Sequence, residues 1–183
     1  MPARREGAVM DPARPLVLAG ARYTTHRDAI HDYQIAWGAR HGGAFDHMSI
    51  AVLAKDACGD LQVERHASGA RDLALGGAVL GAALLVVAPA VGIATVAAGG
   101  GLAGAGGIAA HLRHTIPNDT LEEVSQLLKS GASGLLLVAI DRKGNEISPL
   151  LERAEKAVVV ATKTGDLDAA FYGALKTAEA KSA

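Results

Sequence analysis

The sequence predicts an α+β protein: a ferredoxin-like split β-α-β sheet with an inserted Gly/Ala-rich helical hairpin and a C-terminal helix. Three observations predict it. Short apolar runs suited to strands alternate with helically spaced stretches in the order β-α-β-β-α-β. Turn and capping residues stand between these runs. An uncharged stretch of 38 residues, 73–110, separates the third strand from the second helix.

Taken in order, residues 1–14 carry arginines but no apolar run after them, so they read as a flexible tail and not a signal peptide. The domain proper opens at residue 15. PLVLAGARY (15–23) is a short apolar run suited to a buried strand. Thr25 then offers a helix N-cap, with Asp28 three residues on, and Ile30, Tyr33 and Trp37 follow at helical spacing. Gly42-Gly43 stops that helix. HMSIAVLAKD (47–56) is a second strand, and LQVERHA (61–67) a third, alternating Leu61, Val63 and Arg65 against Gln62 and Glu64. Ala57-Cys58-Gly59-Asp60 is the hairpin turn between them. The first part of the α+β domain thus spans 15–68 and the apolar hairpin 69–114.

The second part, 115–183, begins at Pro117-Asn118-Asp119-Thr120, where Thr120 and Glu123 form a T-x-x-E capping box. Leu121, Val124, Leu127 and Leu128 make one apolar helix face, and Gly131 suits a glycine C-cap. GLLLVAID (134–141) is a buried strand. A helix over about 146–155, a strand over 157–163 and a helix over about 166–181 complete the chain.

The uncharged stretch 73–110 holds ten Gly, thirteen Ala and thirteen large aliphatic residues. A disordered linker needs charge, Ser or Pro to stay solvated, so this segment is structured. Ala88-Pro89-Ala90 is the natural break, which predicts helices over about 70–88 and 90–112 folded as a hairpin. Gly77 and Gly81 are spaced G-x-x-x-G, and so are Gly100 and Gly104. Ala97, Gly101 and Ala105 recur every four residues on a neighbouring stripe. Residues four apart share a helix face, and a face without side chains lets two backbones approach closely. These seven residues are the expected helix-packing and oligomerisation surface.

Charge and composition exclude several functions. The chain has 18 basic and 19 acidic residues, a net charge of −1, so nothing recruits nucleic acid by bulk electrostatics. Six aromatic residues, Tyr23, Tyr33, Trp37, Phe45, Phe171 and Tyr172, are too few for stacking bases or sugars. Cys58 is the only cysteine, which rules out an internal disulfide and a thiolate metal cluster. His111 and His114 lie three apart with no third ligand nearby, and suit a helix C-terminus better than a metal. His26, His31, His41 and His47 have no metal spacing and are expected on a solvated surface. Glu122 and Glu123 read as first-turn acids. Gly99, Gly101 and Gly104 fit G-x-G-x-x-G, yet no following strand ends in an acid at the spacing a dinucleotide site requires.

The β-α-β-β start, the glycine-rich hairpin and TLEEVSQLLKSGASGLLLVAID (120–141) resemble a bacterial family of predicted membrane proteins, a domain of unknown function. The resemblance spans about residues 15–175 and implies no catalytic residues. The expected function is therefore that of a non-enzymatic homo-oligomer. It assembles through the glycine-zipper hairpin at or in the cytoplasmic membrane, or as a large soluble cytoplasmic assembly. Its expected partners are further copies of itself and the lipid bilayer, with no cofactor or metal. The alternative is a soluble ligand- or nucleotide-binding domain using the loop at Gly99–Gly104.

Overall fold

The computed structural model describes residues 15–45, 47–68, 73–89, 91, 102–140 and 146–163. The tail, most of the run from 90 to 101 and the expected helix at 166–181 lie outside them. The elements are β1 (Pro15–Tyr23), α1 (His26–His41), β2 (His47–Lys55), β3 (Leu61–Ser68), α2 (Leu73–Val87), α3 (Leu102–Thr115), α4 (Asn118–Ser130), β4 (Ser133–Ile140), a single 3-10 turn (Ser148–Leu151) and β5 (Lys156–Lys163). Helices and a five-stranded antiparallel sheet make this an α+β protein.

The strand order is β3-β2-β4-β1-β5. The plain split β-α-β reading expects β3 between β1 and β2. Instead β4 takes that place, antiparallel to both, with Leu137 opposite Ala19 on one side and Ile50 on the other. The reason lies in side-chain chemistry. Every residue of β4 is buried, which suits a strand covered on both faces. β3 carries Gln62, Glu64, Arg65 and His66, all exposed, which suits an edge.

Each face of the sheet holds its own apolar core. On one face Leu16, Leu18, Leu53, Leu136 and Val138 pack with α2, α3 and α4. On the other, Val17, Ala19, Ile50, Leu135 and Leu137 pack with α1 and the 3-10 turn. β3 contributes to both. Its register shifts between Val52 and Leu53, leaving Glu64 as an extra, bulged residue. Leu61 and Val63 therefore pack on the α2 side, whereas Ala67, of the same sequence parity, packs on the α1 side.

Helix boundaries follow the expected signals at some ends and not at others. Thr25 is the N-cap of α1, its hydroxyl accepting from the Asp28 N–H at 3.2 Å, and Gly42 closes the helix. Helix α4 starts at Asn118, so Thr120 lies inside it and the T-x-x-E box does not form. The carboxylate of Asp119 accepts from the Thr120 N–H instead, at 2.8 Å. Gly131 follows α4 in extended backbone, not a left-handed cap. It is small because a Cβ there would meet Arg22 Cγ at 2.5 Å and the Ser133 carbonyl at 2.9 Å. The helix expected over 146–155 is one 3-10 turn. It does not continue as an α-helix: Arg153 N–H goes to Asp32 and Glu155 N–H to the Arg22 carbonyl, while Ala154 N–H bonds only three residues back, to Leu151.

Within the insertion, α2 ends at Val87, one residue before the expected break. Leu80, Ala82, Ala83, Leu84 and Val87 are fully or almost fully buried, because α2 lies against β2, β3 and β4 and touches α3 and α4 as well. Pro89 and Val91 are helical, and α3 runs on to Thr115, past the expected end at 112. Arg113, in the last turn of α3, donates to the carbonyl of Leu85 in the last turn of α2 at 3.4 Å. Each of these helices is about 21 Å long at ~1.5 Å per residue. An arginine cannot bridge that length, so the two C-terminal ends lie side by side. A plain antiparallel hairpin would put them at opposite ends. Among the described residues no helix is long and apolar enough to cross a membrane.

Candidate functional site

Polar side chains gather where β1 runs into α1 and where β4 and β5 begin. The centre is Asp32, on the inward stripe of α1 with Ala29 and Ala36. Its carboxylate is completely buried, and its oxygens are well supplied. Oδ2 accepts from the Tyr23 hydroxyl at 3.0 Å and from the Arg153 N–H at 2.9 Å. Oδ1 lies 3.3 Å from His31 Nδ1. These bonds offset the cost of taking a carboxylate out of water. Burial and the neighbouring Asp32 hold the Tyr23 hydroxyl far above the ordinary tyrosine range.

A second line of contacts starts at His26, the first residue of α1. Its Nδ1 is 3.1 Å from the hydroxyl of Ser133, the first residue of β4, and its Nε2 is 3.2 Å from Glu64 on the β3 bulge. The bulge thus sets the acid that meets His26. A hydroxyl, an imidazole and a carboxylate within hydrogen-bond reach are the residue types of a nucleophile, its base and an orienting acid. Ser133, however, is only 1 % exposed and sits between β1 and β2. Its hydroxyl is spent inside the protein, and the line fastens the start of α1 to the sheet.

Exposed ion pairs surround these two lines. Arg22 meets Glu155 at 2.7 Å, Arg153 meets Asp28 at 3.4 Å and Lys156 meets Glu123 at 2.8 Å. The Asp28 carboxyl is held below the usual range, first by its hydrogen bond to Thr25 and then by Arg153. Pairs this exposed contribute little individually.

His26 is exposed and His31 partly so, in line with the solvated surface expected for them, but both are also tied into this cluster. Sequence spacing misses it because its members are far apart in the chain: His26 and Ser133 are 107 residues apart, Asp32 and Arg153 121. One sign was available, a lone acid at helical spacing between Ala29 and Ala36. Among the described residues no group of three His, Cys, Asp or Glu side chains is placed to hold a metal ion. Cys58 is exposed in its turn.

The expected assembly residues fall in three places. Gly77 and Gly81 are in α2, and Gly81 is buried. Gly104 and Ala105 are in the first turn of α3. Ala97, Gly100 and Gly101 lie outside the described residues, as does most of the Gly99–Gly104 loop. The helices carrying the first two sets pack against one another. Beyond Gly104 and Ala105, α3 turns Ile108, Ala109 and Leu112 inward and leaves Gly106, Gly107 and Ala110 exposed. No family model, curated protein or solved structure matches this chain.

Proposed function

We propose that this protein is a non-enzymatic, self-associating α+β protein whose copies meet through α3, at the cytoplasmic membrane or as a soluble assembly. On this reading the sheet keeps a split β-α-β unit, β1-α1-β2 with β4 in place of β3 between its strands, and the α2–α3 region is an insertion. The observation that carries the proposal is Gly106. Among the described residues, a Cβ built there meets nothing within 4 Å. The interior glycines have a reason inside the monomer: Gly20 faces Val124 at 2.6 Å and Gly134 faces Leu128 at 2.8 Å. Gly106, like Gly38 in α1, has none among the described residues, yet glycine in an exposed helix costs about 1 kcal/mol relative to alanine. A second backbone approaching that face offsets the cost.

Two further features support the reading. The polar cluster is used up in holding α1, β4 and the 3-10 turn together. Helix α2, the more apolar candidate for lipid, has 15 residues, about 22 Å at ~1.5 Å each, against a hydrocarbon core of about 30 Å, and its side chains from Val79 onward pack into the protein's own core.

The test is the oligomeric mass by light scattering, with flotation on phospholipid vesicles, for wild type and Gly106→Leu. The expected result is an assembly that Gly106→Leu reduces in size while the fold is kept. Flotation of the wild type would place the assembly at the membrane, and no flotation would make it soluble. A monomeric wild type that does not float overturns the proposal. So does an assembly of unchanged size in Gly106→Leu.

A further inference from the structure

We infer that β5 is a second self-association surface, pairing antiparallel with β5 of another copy about a two-fold axis. The surface is distinct from α3, and the inference does not rest on the role of Gly106. It starts from the difference between the two edges of the sheet. An open strand edge presents unpaired N–H and C=O groups, and proteins guard such edges with charges, bulges and proline. The β3 edge is guarded in this way, with Glu64 and Arg65 at a bulge and His66 beside them. The β5 edge is not. From residue 157 to 161 it reads Ala-Val-Val-Val-Ala, uncharged and regular in its pairing with β1. Val159 is 39 % exposed, and Ala157 and Ala161 on the same face are exposed too.

The occupant follows from the strand itself, which is palindromic about Val159. With Val159 opposite Val159 of the second copy, Ala157 faces Ala161 and Val158 faces Val160. Lys156 falls opposite Thr162. No like charges meet across this register. Moving the centre by one residue, to Val158 or Val160, breaks the Ala–Ala match. Such an isologous pairing joins two five-stranded sheets into one of ten strands. Combined with a contact through α3, it would build assemblies larger than a dimer.

The experiment is site-directed crosslinking of the full chain in a Cys58→Ser background, which has no other cysteine. Residues directly opposite in an antiparallel pair have Cα atoms about 4.5–5.5 Å apart, within disulfide range. Val159→Cys should give a disulfide-linked dimer under mild oxidation, and Val160→Cys, which has no copy of itself opposite, should give at least tenfold less. A dimer that forms equally at both positions, or at neither, overturns the inference. Val159→Lys, checked by its melting curve, should halve the mass of the assembly. Adding Gly106→Leu to Val159→Cys separates the two surfaces. A crosslink that survives while the larger assembly is lost supports both. A crosslink that survives with assembly size unchanged removes the α3 reading alone. A missing crosslink at Val159 alongside an assembly sensitive to Gly106→Leu removes the β5 reading alone.

Discussion

Tyr23 donates its phenolic hydrogen bond to Asp32 at 3.0 Å, and neither residue has any exposed surface. This bond joins the end of β1 to the middle of α1. Asp32 passes the connection on to the Arg153 N–H, 121 residues away, and so holds the turn that leads into β5.

The pair predicts a stability that falls in alkali. The Tyr23 hydroxyl is raised above its ordinary value, by burial first and then by Asp32. Its proton is therefore held more tightly in the folded state than in the unfolded chain. The resulting stability is fully present below the unfolded value of about 10 and is lost as pH rises above it. Tyr23→Phe should cost about 1–3 kcal/mol at neutral pH, because Asp32 loses a donor while still buried. It should also flatten the decline above about pH 10. Urea unfolding of wild type and variant between pH 7 and 11 checks both. Parallel curves over that range would show that Tyr23 is not the titrating group.

Gly20 predicts a steric limit. It lies in β1, and a Cβ there would come within 2.6 Å of Val124 Cγ1 on α4. Valine has little rotamer freedom in a helix, so α4 must shift. Gly20→Ala should destabilise the fold by about 1–3 kcal/mol. Val124→Ala, made alone, leaves a cavity and also destabilises. The double variant should be less damaged than the two losses summed, since the smaller side chain makes room for the new methyl. Strict additivity in a thermal-melt cycle would argue against the contact.

The line Ser133–His26–Glu64 predicts a difference between its two contacts. His26→Ala removes the partner of a buried hydroxyl and should cost about 1–3 kcal/mol. Ser133→Ala in the same chain should recover part of that loss, because no hydroxyl is left unsatisfied. Glu64→Gln touches only the half-exposed end of the line and should cost under about 1 kcal/mol. Denaturant unfolding of wild type and the three variants checks this ordering. A Glu64→Gln loss as large as that of His26→Ala would reverse it.

Local chemistry was legible in the residues themselves. Thr25 with Asp28 marked the start of α1, Gly42 its end, and Cys58-Gly59 the hairpin turn, where Gly59 has a φ of +88°. The stripe Leu121, Val124, Leu127 and Leu128 is the buried face of α4. Capping, turn conformation and amphipathic spacing are decided within a few residues, so the sequence alone determined these elements and the α+β class. Strand order was decided elsewhere. β4 is central because its uninterrupted apolar run is buried on both faces, which requires two strand neighbours and a helix layer on each side. The bulge at Glu64, the single turn at Ser148–Leu151 and the buried Asp32 also depend on partners distant in the chain. Arg153 gives its N–H to Asp32 instead of to a helix, and no local pattern records that competition. Only the tertiary structure brings such groups within hydrogen-bond distance, so only it could decide which of them hold the fold.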